Sequence, residues 1–165
     1  MAALNRFFSF PHPVNEVSSR FVAAGVVVMA ALAIGLGLSW LTAVLAAGFL
    51  ARVLAGPRLS PLALFVTRVL VPALGSPERL IAGPPKRFAQ AIGFVFATAA
   101  AVLWLGFGLS VAAYGVLGAL IVAAFLEAAF ALCLGCRVFN LLMRTGLIPE
   151  SVCEDCRDWE ARARG

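Results

Sequence analysis

A chain of 165 residues that is 62% hydrophobic and 13% charged, with a mean hydropathy of +1.00, carries too little charge for a water-soluble domain of its size. The composition is that of an integral membrane protein, and the length suits one bundle rather than two domains. The net charge of +5 does not define a nucleic-acid surface, because the basic residues flank apolar runs instead of forming a continuous basic face.

Residues 1–19 form an N-terminal arm. Phe7, Phe8 and Phe10 beside Arg6 suit the headgroup region, and His12 between two prolines is extended or turned. Val14 to Ser18 has the composition of a helix start. No small-residue cleavage site clearly follows the first apolar run, so a cleaved signal peptide is not expected. A bilayer span needs about 20 apolar residues. Four runs qualify, at residues 20–38, 40–54, 88–107 and 109–133, the second being short. Uncharged turns, Gly35 to Ser39 and Gly106 to Ser110, join the first span to the second and the third to the fourth.

Between the second and third spans, Gly56-Pro57 stops a helix. Ser60-Pro61 opens an amphipathic one over residues 60–71, with Ser at the N-cap, Pro at the first helical position and Pro72 at the end. Gly83-Pro84-Pro85 predicts a stiff loop. A second interfacial helix is expected at residues 136–145, followed by a cysteine-containing tail at 149–165. The expected fold is therefore all-α, with four transmembrane helices arranged as two hairpins.

Of the thirteen Lys and Arg residues, Arg6 and Arg20 stand before or at the start of the first span, six from Arg52 to Arg87 lie at or between the second and third, and five from Arg137 to Arg164 follow the fourth. The positive-inside rule makes that side cytoplasmic and predicts a multi-pass protein of a bacterial inner membrane with both termini inside. The halves also resemble each other. Arg20-Phe21 and Arg87-Phe88 each open a span that leads to IGLGLS or LGFGLS and a second span, the pattern of a parallel internal repeat.

Chemistry concentrates at the end of the fourth span. Glu127 is the only carboxylate inside any predicted span, roughly 15 Å of helix below Arg137 at about 1.5 Å per residue. A carboxylate so placed should face protein or a wet cavity. Gly115, Ala119 and Ala123 precede it as a small-residue strip where a neighbouring helix can come close. An ion pair with Arg87 or Arg52, a proton-handling or substrate-binding role, and snorkelling to the headgroups all fit. Cys133 and Cys136 share a face if the helix continues, and Glu127 then lies on another face unless the helix distorts near Gly135. They suit apolar packing, or a redox pair that accepts or passes electrons or sulfane sulfur. With Cys153 and Cys156 the spacing is C-x2-C-x16-C-x2-C, which fits a four-thiolate zinc site or a thiol relay. The cytoplasmic placement disfavours permanent disulfides. Trp40, Trp104 and Trp159 suit interfacial anchoring.

The stretches PVNEVSSRFVA, GPRLSPLA, GPPKRFAQAIGFVF and EAAFALCLGCRVFNLLMRTGLI together resemble a bacterial membrane family known as domain of unknown function 4395. The resemblance implies a small four-span protein whose last span ends in Cys133 and Cys136, and it implies no activity. A fainter likeness joins each half to the two-span membrane domain of some rhodanese-type sulfurtransferases. Two functional expectations follow. One is a membrane thiol protein without a cofactor, in which Cys133 and Cys136 exchange with Cys153 and Cys156, Glu127 handles a proton, and a cytoplasmic sulfurtransferase or thioredoxin-like protein is the partner. The other is a non-enzymatic scaffold or transporter-like module in which the two Cys-x-x-Cys pairs hold structural zinc.

Overall fold

The first helix begins at a side-chain cap. Asn15 takes an extended backbone and its side-chain oxygen accepts the Val17 N–H at 2.9 Å, which satisfies one of the donors that a first turn leaves open. Glu16 adds a negative charge at the positive end of the helix dipole. Helix α1 runs from there over Glu16–Leu36. The computed structural model describes residues 14–75, 79–149 and 152 of the chain. Just before α1, Val14–Asn15 (β1) pairs antiparallel with Leu80–Ile81 (β2), tying the start of the first span to the segment before the third. Nothing in the sequence pattern announces this two-residue ladder.

Gly37, at φ 66°, ends α1 and its N–H bonds the Ala33 carbonyl. Helix α2 (Trp40–Ala55) follows and ends at Gly56. A 3-10 turn, Gly56–Arg58, leads to α3 (Pro61–Phe65), which passes through one wide turn, Val66–Leu70, into α4 (Val71–Ala73). Ser60 holds the N-cap position, but its hydroxyl makes no capping bond and is buried without a partner. Pro72 lies inside α4 rather than ending the segment, which closes at Gly75.

Helix α5 spans Gly83–Ala101 and continues through a wide turn, Val102–Gly106. The third span thus starts earlier than expected. Gly83-Pro84-Pro85 is not a loop but the first helical turn, where proline's missing N–H costs nothing. Helix α6 covers Ser110–Phe130 and α7 covers Leu134–Arg144, so the fourth span stops short of Cys133 and the last helix starts two residues before the expected 136. Four helical stretches are long and apolar enough to cross a bilayer: Glu16–Leu36, Trp40–Ala73, Gly83–Gly106 and Ser110–Phe130.

The four long helices form a ring in which α2 lies along α5 and α1 along α6, with α1–α2 and α5–α6 contacts closing it. Each neighbour in the ring is antiparallel. The centre is filled by Val26, Ala30, Ala33, Leu45, Ala97 and Leu117, while Val28, Val95, Val111, Val122 and Phe125 are more than half exposed on the outside, where hydrocarbon would meet them. The expected close approach along Gly115 does not occur. Nothing lies within 4 Å of a Cβ built there, and the buried stripe of α6 is instead Ala113, Leu117, Leu120 and Ala124.

Arg20 donates to the carbonyls of Ala128 and Ala129 at 3.0 Å each, and Arg87 donates to the carbonyl of Val53 at 3.0 Å. Both arginines therefore start a span and satisfy carbonyls that the end of a neighbouring helix leaves open. The described basic residues collect at this end of the ring, and the two tight turns lie at the other.

Candidate functional site

The site is made by a break in the chain. Helix α6 stops because Ala131 adopts the left-handed conformation, φ 56°, the one non-glycine residue to do so among those described. This costs about 1–2 kcal/mol in a residue with a Cβ. The Ala131 N–H still bonds the Glu127 carbonyl at 3.0 Å, and the Leu132 N–H bonds that of Leu126 at 3.1 Å, so the turn is closed. The helix distortion that a Glu127–thiol approach would require near Gly135 is found at Ala131. Gly135 has another function: a Cβ there would come within 2.6 Å of the Ala89 Cα, so its absence lets α7 rest on the backbone of α5. Phe139 anchors the same contact, buried against Phe88 with ring centroids 5.6 Å apart.

Because of the break, Cys133 and Cys136 are not two positions on one face of a helix. Cys133 is the N-cap of α7, with an extended backbone, and its sulfur accepts the Cys136 N–H at 3.4 Å. Both cysteines are partly buried and free. Their environments differ. Cys133 is held below the ordinary thiol pKa, chiefly by the hydrogen bond it takes from the Cys136 thiol, with help from the Lys86 charge and the Cys136 N–H and against burial and Glu127. Cys136 is pushed up, chiefly by giving that hydrogen bond and next by burial. The two thiols therefore differ in acidity, Cys133 the more acidic and Cys136 the less.

Glu127 turns inward and its Oε1 accepts a hydrogen bond from the Lys86 Nζ, with the two side chains 14% and 6% exposed. Neither expected partner makes this bond. Arg87 is engaged at Val53, and Arg52 lays its guanidinium over the Phe49 ring, 4.4 Å from the centroid. Glu127 also lies less deep than expected, since α6 ends three residues after it. Lys86 is missed by a stiff loop at Gly83-Pro84-Pro85 and a third span that starts only at Phe88; two prolines taken as the first turn of a helix put Lys86 in the bundle.

A cavity of about 350 Å³ lies between the four spanning helices and α7. Its polar lining includes Arg52, Gln90, Glu127 and Cys133, set among mostly apolar side chains such as Phe49 and Ala119. The Arg52 Nε and the Gln90 side-chain oxygen are buried without hydrogen-bond partners. Trp104 and Tyr114 stack edge to face near the tight turns, and Trp40 is 57% exposed at that end. Cys153, Cys156, Trp159 and His12 lie outside the described residues, so the expected four-thiolate arrangement has no geometry here. Among the described residues no three His, Cys, Asp or Glu side chains converge as a metal-ligand set.

Four antiparallel apolar helices with a lipid-facing exterior, closed at one end by an ion pair and a dithiol, define a helical multi-pass membrane protein. Residues 14–144 match the family described as Domain of unknown function (DUF4395), and the chain belongs to that family. No curated protein and no solved structure matches the chain. The fainter likeness to the rhodanese-type membrane domain is therefore not supported.

Proposed function

We propose that this protein is a dithiol exchanger at the cytoplasmic edge of the bacterial inner membrane, with Cys133 as nucleophile and Cys136 as resolving thiol. The observation that carries this reading is the position of Cys133 at the N-cap of α7, its sulfur receiving the Cys136 N–H. A helix N-terminus and a Cys-x-x-Cys partner both favour thiolate, and the thiolate is the attacking species. Packing alone would not require one thiol to be held down and its neighbour up.

In the forward direction the Cys133 thiolate attacks one sulfur of a partner disulfide. A mixed disulfide forms and the partner's other sulfur leaves as thiolate. Cys136 then loses its proton and attacks the Cys133 sulfur, releasing the partner's second thiol and leaving a Cys133–Cys136 disulfide. The partner is reduced by two electrons and the protein is oxidised by two. A thioredoxin-like protein or a sulfurtransferase would supply or take the sulfur species, and the tail cysteines, Cys153 and Cys156, would pass it on. Glu127, which shares Lys86 with the thiols' surroundings, would accept the Cys136 proton.

Trapping tests the reading. In protein with Cys153 and Cys156 replaced by Ser, Cys136→Ser should accumulate a stable mixed disulfide on Cys133 when given glutathione disulfide, and Cys133→Ser should accumulate none on Cys136. Equal labelling of both variants would refute the assignment. One zinc per chain, held by all four thiols in the unmodified protein, would replace it with the scaffold reading.

A further inference from the structure

The geometry points to the bundle cavity as the binding site of a lipid-soluble quinone that oxidises the Cys133–Cys136 pair, an inference that rests on the dithiol reading above. Four observations converge on this class of molecule. Three lining residues, Phe96, Leu134 and Val138, are 37%, 41% and 43% exposed, so the cavity opens on the apolar flank and a ligand would come from the lipid. The walls are mostly apolar, which suits a ring and an isoprenoid tail, and the volume of about 350 Å³ admits a headgroup of one or two rings.

The polar groups are more selective. Arg52 is only 5% exposed, and its Nε–H has no acceptor in the protein. A buried donor without a partner is costly, and a ligand oxygen would satisfy it. The Gln90 oxygen, from the facing helix, lacks a donor. A quinone answers both needs in turn: its carbonyl accepts from Arg52, and on reduction its new hydroxyl can donate to Gln90. A fatty-acid carboxylate would answer only the first. Finally, Cys133 forms part of the wall, so the electron donor and the ligand share one chamber.

The step balances without any other reactant. The Cys133 sulfur adds to a ring carbon of the quinone, and Cys136 attacks that sulfur. The S–S bond forms as the C–S bond breaks, and the electron pair of the C–S bond stays on the ring. The two thiol protons end on the two ring oxygens. One dithiol becomes one disulfide, and one quinone becomes one quinol; the exchange above, run in reverse on a partner dithiol, returns the pair to its reduced state. Arg52 would bind the oxygen on which negative charge develops.

The test uses full-length protein in lipid nanodiscs, reduced and kept anaerobic. The oxidant is a fully substituted short-chain benzoquinone, which has no open ring position for irreversible thiol addition. The expected result is one quinol, read by absorbance, for each Cys133–Cys136 disulfide, read by alkylation mapping, with none formed by Cys133→Ser. Arg52→Gln should slow the reaction by about a hundredfold, the loss typical of removing one donor to a developing charge. Ala119→Phe, which fills the cavity from another helix, should slow it as well. Equal rates in these two variants and the unmodified protein would place the reaction outside the cavity and overturn the inference. A parallel reaction with glutathione disulfide separates the two proposals. If that disulfide oxidises the pair and the quinone does not, the quinone site is wrong and the dithiol reading stands; if neither reacts, both are wrong.

Discussion

Lys86 and Glu127 show what a single pair of residues contributes. Their side chains are 6% and 14% exposed, and each would be a costly charge without the other. Removing one partner from a buried pair costs about 3–5 kcal/mol, whereas replacing both with apolar groups is often neutral. Lys86→Met should therefore lower thermal stability in detergent sharply, and Lys86→Met combined with Glu127→Leu should recover most of the loss. Glu127→Gln should be milder than Glu127→Lys, which sets a second ammonium against Lys86. Equal losses for Gln and Lys would show that the carboxylate is not held where described. Half of this pair was legible in the sequence, because Glu127 stands alone in an apolar run. The other half was not. Whether Lys86 belongs to a loop or a helix turns on two prolines, which serve both equally well.

At the scale of the element, α7 is placed by one backbone turn and one close contact. The turn at Ala131 could not be seen in the sequence, since alanine favours continued helix and left-handed alanine is held only by its surroundings. Gly135 was visible, but as a possible break; its function is to admit the backbone of α5. Gly135→Ala should push α7 away from Ala89, costing about 1–3 kcal/mol as overpacking does. It should also change the alkylation rate of Cys133, which sits at the start of the displaced helix. Circular dichroism melts and thiol mapping check the two effects together, and a neutral substitution in both would contradict the contact. The four long helices were legible throughout, because length and hydropathy decide them without reference to packing. Their pairing was not: the main contacts run between the predicted hairpins, α1 with α6 and α2 with α5, and side-chain periodicity carries no record of partner choice.

Across the whole molecule, charge, cavity and thiols share one end. The described basic residues lie at the end opposite the tight turns, and the cavity beneath them holds Arg52, Glu127 and Cys133. The proposed cytoplasmic placement of that end rests on the positive-inside rule. The central claim, that Cys133 is the nucleophile and Cys136 its protonated partner, is tested most directly by the pH profile of alkylation with a membrane-impermeant iodoacetamide, mapped residue by residue in inverted vesicles and in intact cells. Alkylation consumes thiolate, so a thiol held below its ordinary pKa reacts at lower pH and one pushed above it reacts only at higher pH. Cys133 should be modified first, in inverted vesicles only, with a midpoint below that value, and Cys136 should stay unmodified until well above it. Equal rates at an ordinary midpoint, or labelling of Cys133 from outside intact cells, would contradict the account.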